Sequence, residues 1–163
     1  MRKLIIALVL ATALAGAAVS SGAVPRAGVR FTGTTSAKSV NDFGDSITFV
    51  TGAKSLRSLS FGTLGCFGFG SFPVGVDPYA TSLAQLRASV LFTAKGTFSA
   101  KDLSPSWNGG DPGTKLYVTL SGQFTSPTKV TGTIVISEKT ANGGTCGPSK
   151  MTFSATPGSG STS

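Results

Sequence analysis

The chain has 163 residues, with 14 Lys and Arg against 6 Asp and Glu, 2 cysteines and no histidine. The missing histidine excludes a Ser-His-Asp triad, a Cys-His pair and any His-dependent zinc site within the chain, and two cysteines are too few for a thiolate zinc site. Beyond position 3 no two basic residues are adjacent, unlike the clustered stripe of a nucleic-acid binder, so the net charge of +8 reads as a solvated, mildly basic surface, with an electrostatic liking for anionic polymers of the cell envelope as the alternative.

Met1-Arg2-Lys3 is a positive n-region, followed by an apolar run from Leu4 to about Leu14 and then by small residues. That order is a secretory signal peptide, and the run is too short for a membrane span of roughly 20 residues. Cleavage can follow Ala17, Ser20 or Ala23; the last is favoured because Val24-Pro25 begins the mature composition. Residues 1–23 are therefore expected to be a signal peptide, 24–28 a short linker, 29–156 one folded domain and 157–163 a disordered tail. The expected product is exported, extracellular or associated with the cell envelope, monomeric, and without stable membrane insertion.

From Val29 onward the apolar residues recur with a period of two, the mark of strands with one buried face. Val29, Phe31 and Gly33 share a face, as do Ile47 and Phe49, then Leu59 and Phe61. Val90, Phe92 and Ala94 follow, then Leu116, Val118 and Leu120, then Val130, Gly132, Ile134 and Ile136, and last Met151, Phe153 and Ala155. The alternate positions are rich in Ser and Thr, as on a solvated antiparallel face. Thr51-Gly-Ala-Lys54, Lys95-Gly96, Ser121-Gly122 and Asn142-Gly143-Gly144 are expected chain reversals. Asp77-Pro78, with Tyr79, Leu83 and Leu86 at helical spacing, predicts at most one short helix near 78–87. Thr-Gly-Thr at 32–34 and 131–133 reads as shared composition. Short strands at such intervals predict an all-β protein, a single antiparallel β-sandwich of jelly-roll or Ig-like type.

The stretch from Phe61 to Phe72 holds four phenylalanines, four glycines and Cys66. It reads as a core strand pinned by a disulfide, since Cys146 is the one intramolecular partner for Cys66 and an exported chain with two cysteines makes one bridge. Phe67, Phe69 and Phe72 are expected in the core.

Phe31-Thr-Gly-Thr-Thr-Ser36, Ile47-Thr-Phe49, Leu59-Ser-Phe61, Val130-Thr-Gly-Thr-Ile-Val135 and Met151-Thr-Phe-Ser-Ala155, with Cys66 and Cys146, together resemble a group of small exported bacterial proteins frequent in actinobacterial genomes. Their skeleton runs F-x-G-x-T-S, C, G-T, C, W-T-A; this chain has Phe153 at the tryptophan. The resemblance implies export, one disulfide and a β-sandwich, and carries no assigned activity.

Of the acidic residues, Glu138 stands alone as a glutamate beside Asp42, Asp45, Asp77, Asp102 and Asp111. An aspartate pair is the minimum for a glycosidase, but each lies in a stretch where turn formation accounts for it. A non-enzymatic protein without cofactor, metal or catalytic residue is therefore expected, with a secreted hydrolase using an aspartate pair, or a structural or assembly subunit, as alternatives. The candidate ligand-binding residues are Trp107, Asn108 and Asp111, a lone tryptophan beside hydrogen-bonding groups in a Pro/Gly/Asn loop, with Tyr79 and Tyr117 as weaker aromatic candidates. The partner they imply is a polysaccharide; the scattered lysines and arginines imply an anionic cell-wall polymer.

Overall fold

The computed structural model describes residues 24–39, 45–64, 79–107 and 113–158. These residues form eleven strands and no helix: β1 (Arg30–Thr35), β2 (Lys38–Ser39), β3 (Ser46–Thr51), β4 (Ser55–Leu64), β5 (Tyr79–Leu86), β6 (Val90–Leu91), β7 (Thr97–Leu103), β8 (Ser106–Trp107), β9 (Lys115–Ser126), β10 (Lys129–Lys139) and β11 (Thr145–Pro157). The signal-peptide reading, Cys66, Phe67, Phe69, Phe72, Asn108 and Asp111 lie outside the described residues.

The strands follow one continuous antiparallel path, β5-β4-β3-β1-β11-β10-β9-β7, with β2 added in parallel at the β5 end. Two short bridges bring the ends of this path toward each other. β6 pairs with the start of β4, and Phe92 just beyond it bridges to Phe98 on β7. β8, which follows β7 in the chain, pairs with β5 through Ala84–Trp107 and Gln85–Ser106. The protein is all-β as expected, and its sheet is nearly closed and barrel-like rather than clearly a two-sheet sandwich. The curvature has a local source: β3–β4, β4–β5, β7–β9, β9–β10 and β10–β11 all shift register within the ladder, and such bulges bend and twist a sheet. Ser58 and Asp102 take positive φ, 51° and 54°, at two of these irregularities.

Alternation places the core as the sequence predicts. Phe31, Ile47, Phe49, Leu59, Phe61, Leu116, Val118, Leu120, Val130, Ile134, Ile136, Met151, Phe153 and Ala155 are all buried inside the sheet. Phe124 is the hub: its ring meets Phe31 at 5.6 Å, Phe92 at 5.5 Å and Phe98 at 6.1 Å, and Phe31 stacks on Phe49 at 5.1 Å. Most outward positions of β1, β3, β9 and β10 are polar, with Ser and Thr the commonest, the reverse of the alternation in barrels that face lipid.

Three local expectations are corrected. Residues 79–86 form β5, not a helix, because β4 offers a full ladder from Leu59–Leu86 to Leu64–Ala80 and Ala84 and Leu86 both bury at strand spacing. Ser121-Gly122 lies inside β9 rather than in a reversal; Gly122 pairs with Gly132, and the rings of Phe98 and Phe153 occupy the space that Cβ atoms at these glycines would need. The chain reverses instead at residues 127–128. Ala94 leaves the Val90–Phe92 face because Thr93–Gly96 forms the turn into β7, its Thr93 N–H donating to the Thr97 carbonyl at 2.8 Å. The turns at 51–54, 95–96 and 142–144 are present, with Gly96 and Gly143 at φ 74° and 83°.

The chain on either side of the expected domain is held to it. The Gly28 N–H donates to the Thr51 carbonyl at 2.6 Å, and the Thr51 hydroxyl donates to the Arg26 carbonyl at 2.6 Å. At the other end the Gly158 N–H donates to the Arg30 carbonyl at 3.0 Å.

Candidate functional site

The outer face of β9 and β10 carries a recess flanked by two lysines. Odd-numbered positions of β9 face outward while Leu116, Val118 and Leu120 are buried, and on β10 the same holds around Ile134, Ile136 and Glu138. The ladder register places Lys115 directly opposite Lys139, and Tyr117 directly opposite Ser137. Lys115, Tyr117 and Lys139, with Gly113, Thr140 and Ala141, line a shallow recess of about 210 Å³.

Its end wall comes from two connections. Gly113, at φ 87°, brings the chain into β9 so closely that a Cβ there would lie 3.1 Å from Ala141 Cβ. On the other side the β10–β11 turn is fastened by the Thr140 N–H donating to the Gly144 carbonyl at 2.8 Å. Lys115 and Lys139 are exposed and Tyr117 is half-buried.

Electrostatically the recess is one-signed. None of its lining residues is acidic. Glu138 adjoins Lys139 in sequence but belongs to the opposite face, where it is 6% exposed and registers with Leu116 and Cys146. Like charges directly opposite across a ladder repel, and an anion between the two lysines would offset that repulsion. Beside Gly113, the Thr114 hydroxyl is buried without a hydrogen-bond partner, and such a group ordinarily has a use for a donor or acceptor.

The predicted ligand residues are distributed differently. The backbone at Trp107 lies in β8 against Ala84, not in a loop, and the Ser106 hydroxyl donates to the Gln85 carbonyl at 3.1 Å. Tyr79 opens β5, its backbone in register with Lys38. Asn108 and Asp111 lie outside the described residues, as do the side chains of Trp107 and Tyr79. Tyr117, a weaker candidate from sequence, is the aromatic that the fold sets one rank along β9 from the Lys115–Lys139 pair, in the same recess. The lysine pair is missed by sequence reading, because its members meet only through the β9–β10 register.

The described carboxylates do not converge. Asp45 precedes β3, Asp102 lies on the irregular part of β7, and Glu138 is inside β10. No cluster of three or more His, Cys, Asp or Glu suited to a metal occurs among the described residues. Cys146 is half-buried on β11. Comparison with known proteins finds no matching family model, no matching curated protein and no matching solved structure.

Proposed function

We propose that this chain is an exported, non-enzymatic β-barrel-like protein, closed by a Cys66–Cys146 disulfide, that binds an anionic polymer of the cell envelope through the Lys115–Tyr117–Lys139 recess. The observation that carries the reading is the direct cross-strand opposition of Lys115 and Lys139 over a recess without an acidic lining residue. Two ammonium groups supply up to six N–H donors, and the Tyr117 ring gives a flat apolar surface with a hydroxyl at its tip. Without Arg2 and Lys3 of the signal peptide, 12 basic residues against 6 acidic leave a net charge of +6, which assists by raising the encounter rate with a polyanion, an effect that salt screens over roughly 10 Å at 0.1 M.

The test uses the mature protein and its Lys115→Gln/Lys139→Gln double variant against purified cell walls and soluble polyphosphate. Wild type should be retained at low salt and released as salt rises, and the double variant should bind about tenfold or more weakly. Retention of the double variant at wild-type strength would discard the recess as the site. Release by a neutral sugar rather than by salt would discard the anionic ligand.

A further inference from the structure

The face beyond the recess is as ordered as the recess itself. Moving along β9 and β10, the Lys115–Lys139 rank is followed by Tyr117–Ser137, then by Thr119–Val135–Lys150, Ser121–Thr133–Thr152 and Gln123–Thr131–Ser154, the last three reaching β11. Lys129 stands at the far end of β10. These ranks contain lysines at the two ends and, with Lys150, at one flank, hydroxyls, one amide and the apolar Val135 between them, and no carboxylate. Ranks two residues apart are separated by about 6.8 Å, and neighbouring strands by about 4.8 Å.

We infer that the polymer is an acidic glycan laid along β9 and β10, its carboxylate or phosphate groups held by Lys115, Lys139 and Lys129 and its sugar hydroxyls bonded by the Thr and Ser ranks between them. This rests on the polyanion reading above and narrows it. Lys115 and Lys139 oppose each other at one end of this face, Lys129 stands at the other, roughly 34 Å along β10, and Lys150 borders the middle. A ligand that matches this face carries anionic groups on units that also bear hydroxyls. Hydroxyls both donate and accept, as sugar hydroxyls do. Threonines are stiff at χ1, so their hydroxyls are held in place before binding and less freedom is lost on association. Thr119, Ser121, Thr131, Thr133 and Ser137 are half-buried, so they form a floor rather than a fringe.

Three polymers separate the contributions: polygalacturonate is an acidic glycan, polyphosphate a polyanion without sugar, and dextran a neutral glycan. The diagnostic variant is Thr119→Val/Thr131→Val/Thr133→Val, which keeps side-chain shape and removes three hydroxyls. It should lose about tenfold in affinity for polygalacturonate while binding polyphosphate as wild type does. Unchanged polygalacturonate binding, or an equal loss for both polyanions, would overturn the glycan assignment and leave the polyanion reading standing. Dextran binding as tight as polygalacturonate binding would overturn both, as would failure of wild type to bind either polyanion. If the triple variant does not fold, Ser121→Ala/Ser137→Ala puts the same question with the same readouts.

Discussion

A single methyl group at Gly33 would test how tightly the sheet is drawn together. Gly33 faces inward between Ile47 and Ala155, and a Cβ there would sit 2.5 Å from Ala155 Cα and 2.7 Å from Ala155 Cβ, with the Ser154 carbonyl nearer still. Two of these atoms are backbone, so the strands themselves must part. Gly33→Ala should therefore destabilise by about 1–3 kcal/mol, read as a lowered urea midpoint with an unchanged slope. Phe124 is the opposite case, a residue whose absence leaves a hole. It touches the rings of Phe31, Phe92 and Phe98, which come from three separate segments. Phe124→Ala should cost about 3–5 kcal/mol in the same measurement, and a loss under 1 kcal/mol would mean that the three rings collapse into the space. The glycines also show where sequence reading falls short. The two Thr-Gly-Thr triplets share more than composition: each has an inward glycine pressed against a neighbouring strand and two outward threonines. Nothing in the local sequence reports the neighbour.

Among the elements, the β9–β10 hairpin joins stability to the proposed binding. Opposed lysines on adjacent strands are locally unfavourable, a cost that salt, a bound anion or a substitution reduces. Lys139→Glu places an opposite charge across from Lys115 and should raise stability by about 0.2–1 kcal/mol, while polyphosphate retention falls. Melting temperature and retention measured on one preparation check both halves, and a variant that binds as well as wild type would detach the lysine pair from function. Much of this hairpin is legible in sequence. The alternation from Val130 to Ile136 fixes which residues bury, and Asn142-Gly143-Gly144 marks the turn that follows. Its length is not legible, because Ser121-Gly122 carries a turn signal that the Phe98 and Phe153 rings cancel by covering the glycine pair. The recess is not legible either. It needs the register of the ladder, which hydrophobic alternation specifies only to within a two-residue slip. The same gap explains β5, where the spacing of Tyr79, Leu83 and Leu86 suits a helix until the β4 edge becomes available.

For the whole molecule, period-two alternation identifies an all-β chain but is silent on whether the sheet splits in two or curls on itself. The bulges decide that, and they arise at places such as Gly147, whose φ of 92° lets β11 slip by one residue against β10. A Cβ at Gly147 would lie 2.7 Å from the Ile136 carbonyl oxygen, so the irregularity depends on glycine. Near it stands Cys146, and the proposed bond to Cys66 would close a loop of about 80 residues. That loop takes in the chain from β5 through β10, so it joins β5, near one end of the sheet path, to β10, β9 and β7 at the other. Cross-linking so long a loop removes disorder from the unfolded chain, up to about 4 kcal/mol in the chain-entropy model, against a net stability of about 5–15 kcal/mol for ordinary domains. Non-reduced protein should have an intact mass about 2 Da below the reduced form, the two hydrogens released when the bond forms. Cys146→Ser should lower the urea midpoint by a comparable amount whether or not reductant is present, whereas wild type should lose stability only when reduced. Equal masses in the two states would leave Cys146 without this role, and the near-closed sheet would then be held by its ladders and its phenylalanine core alone.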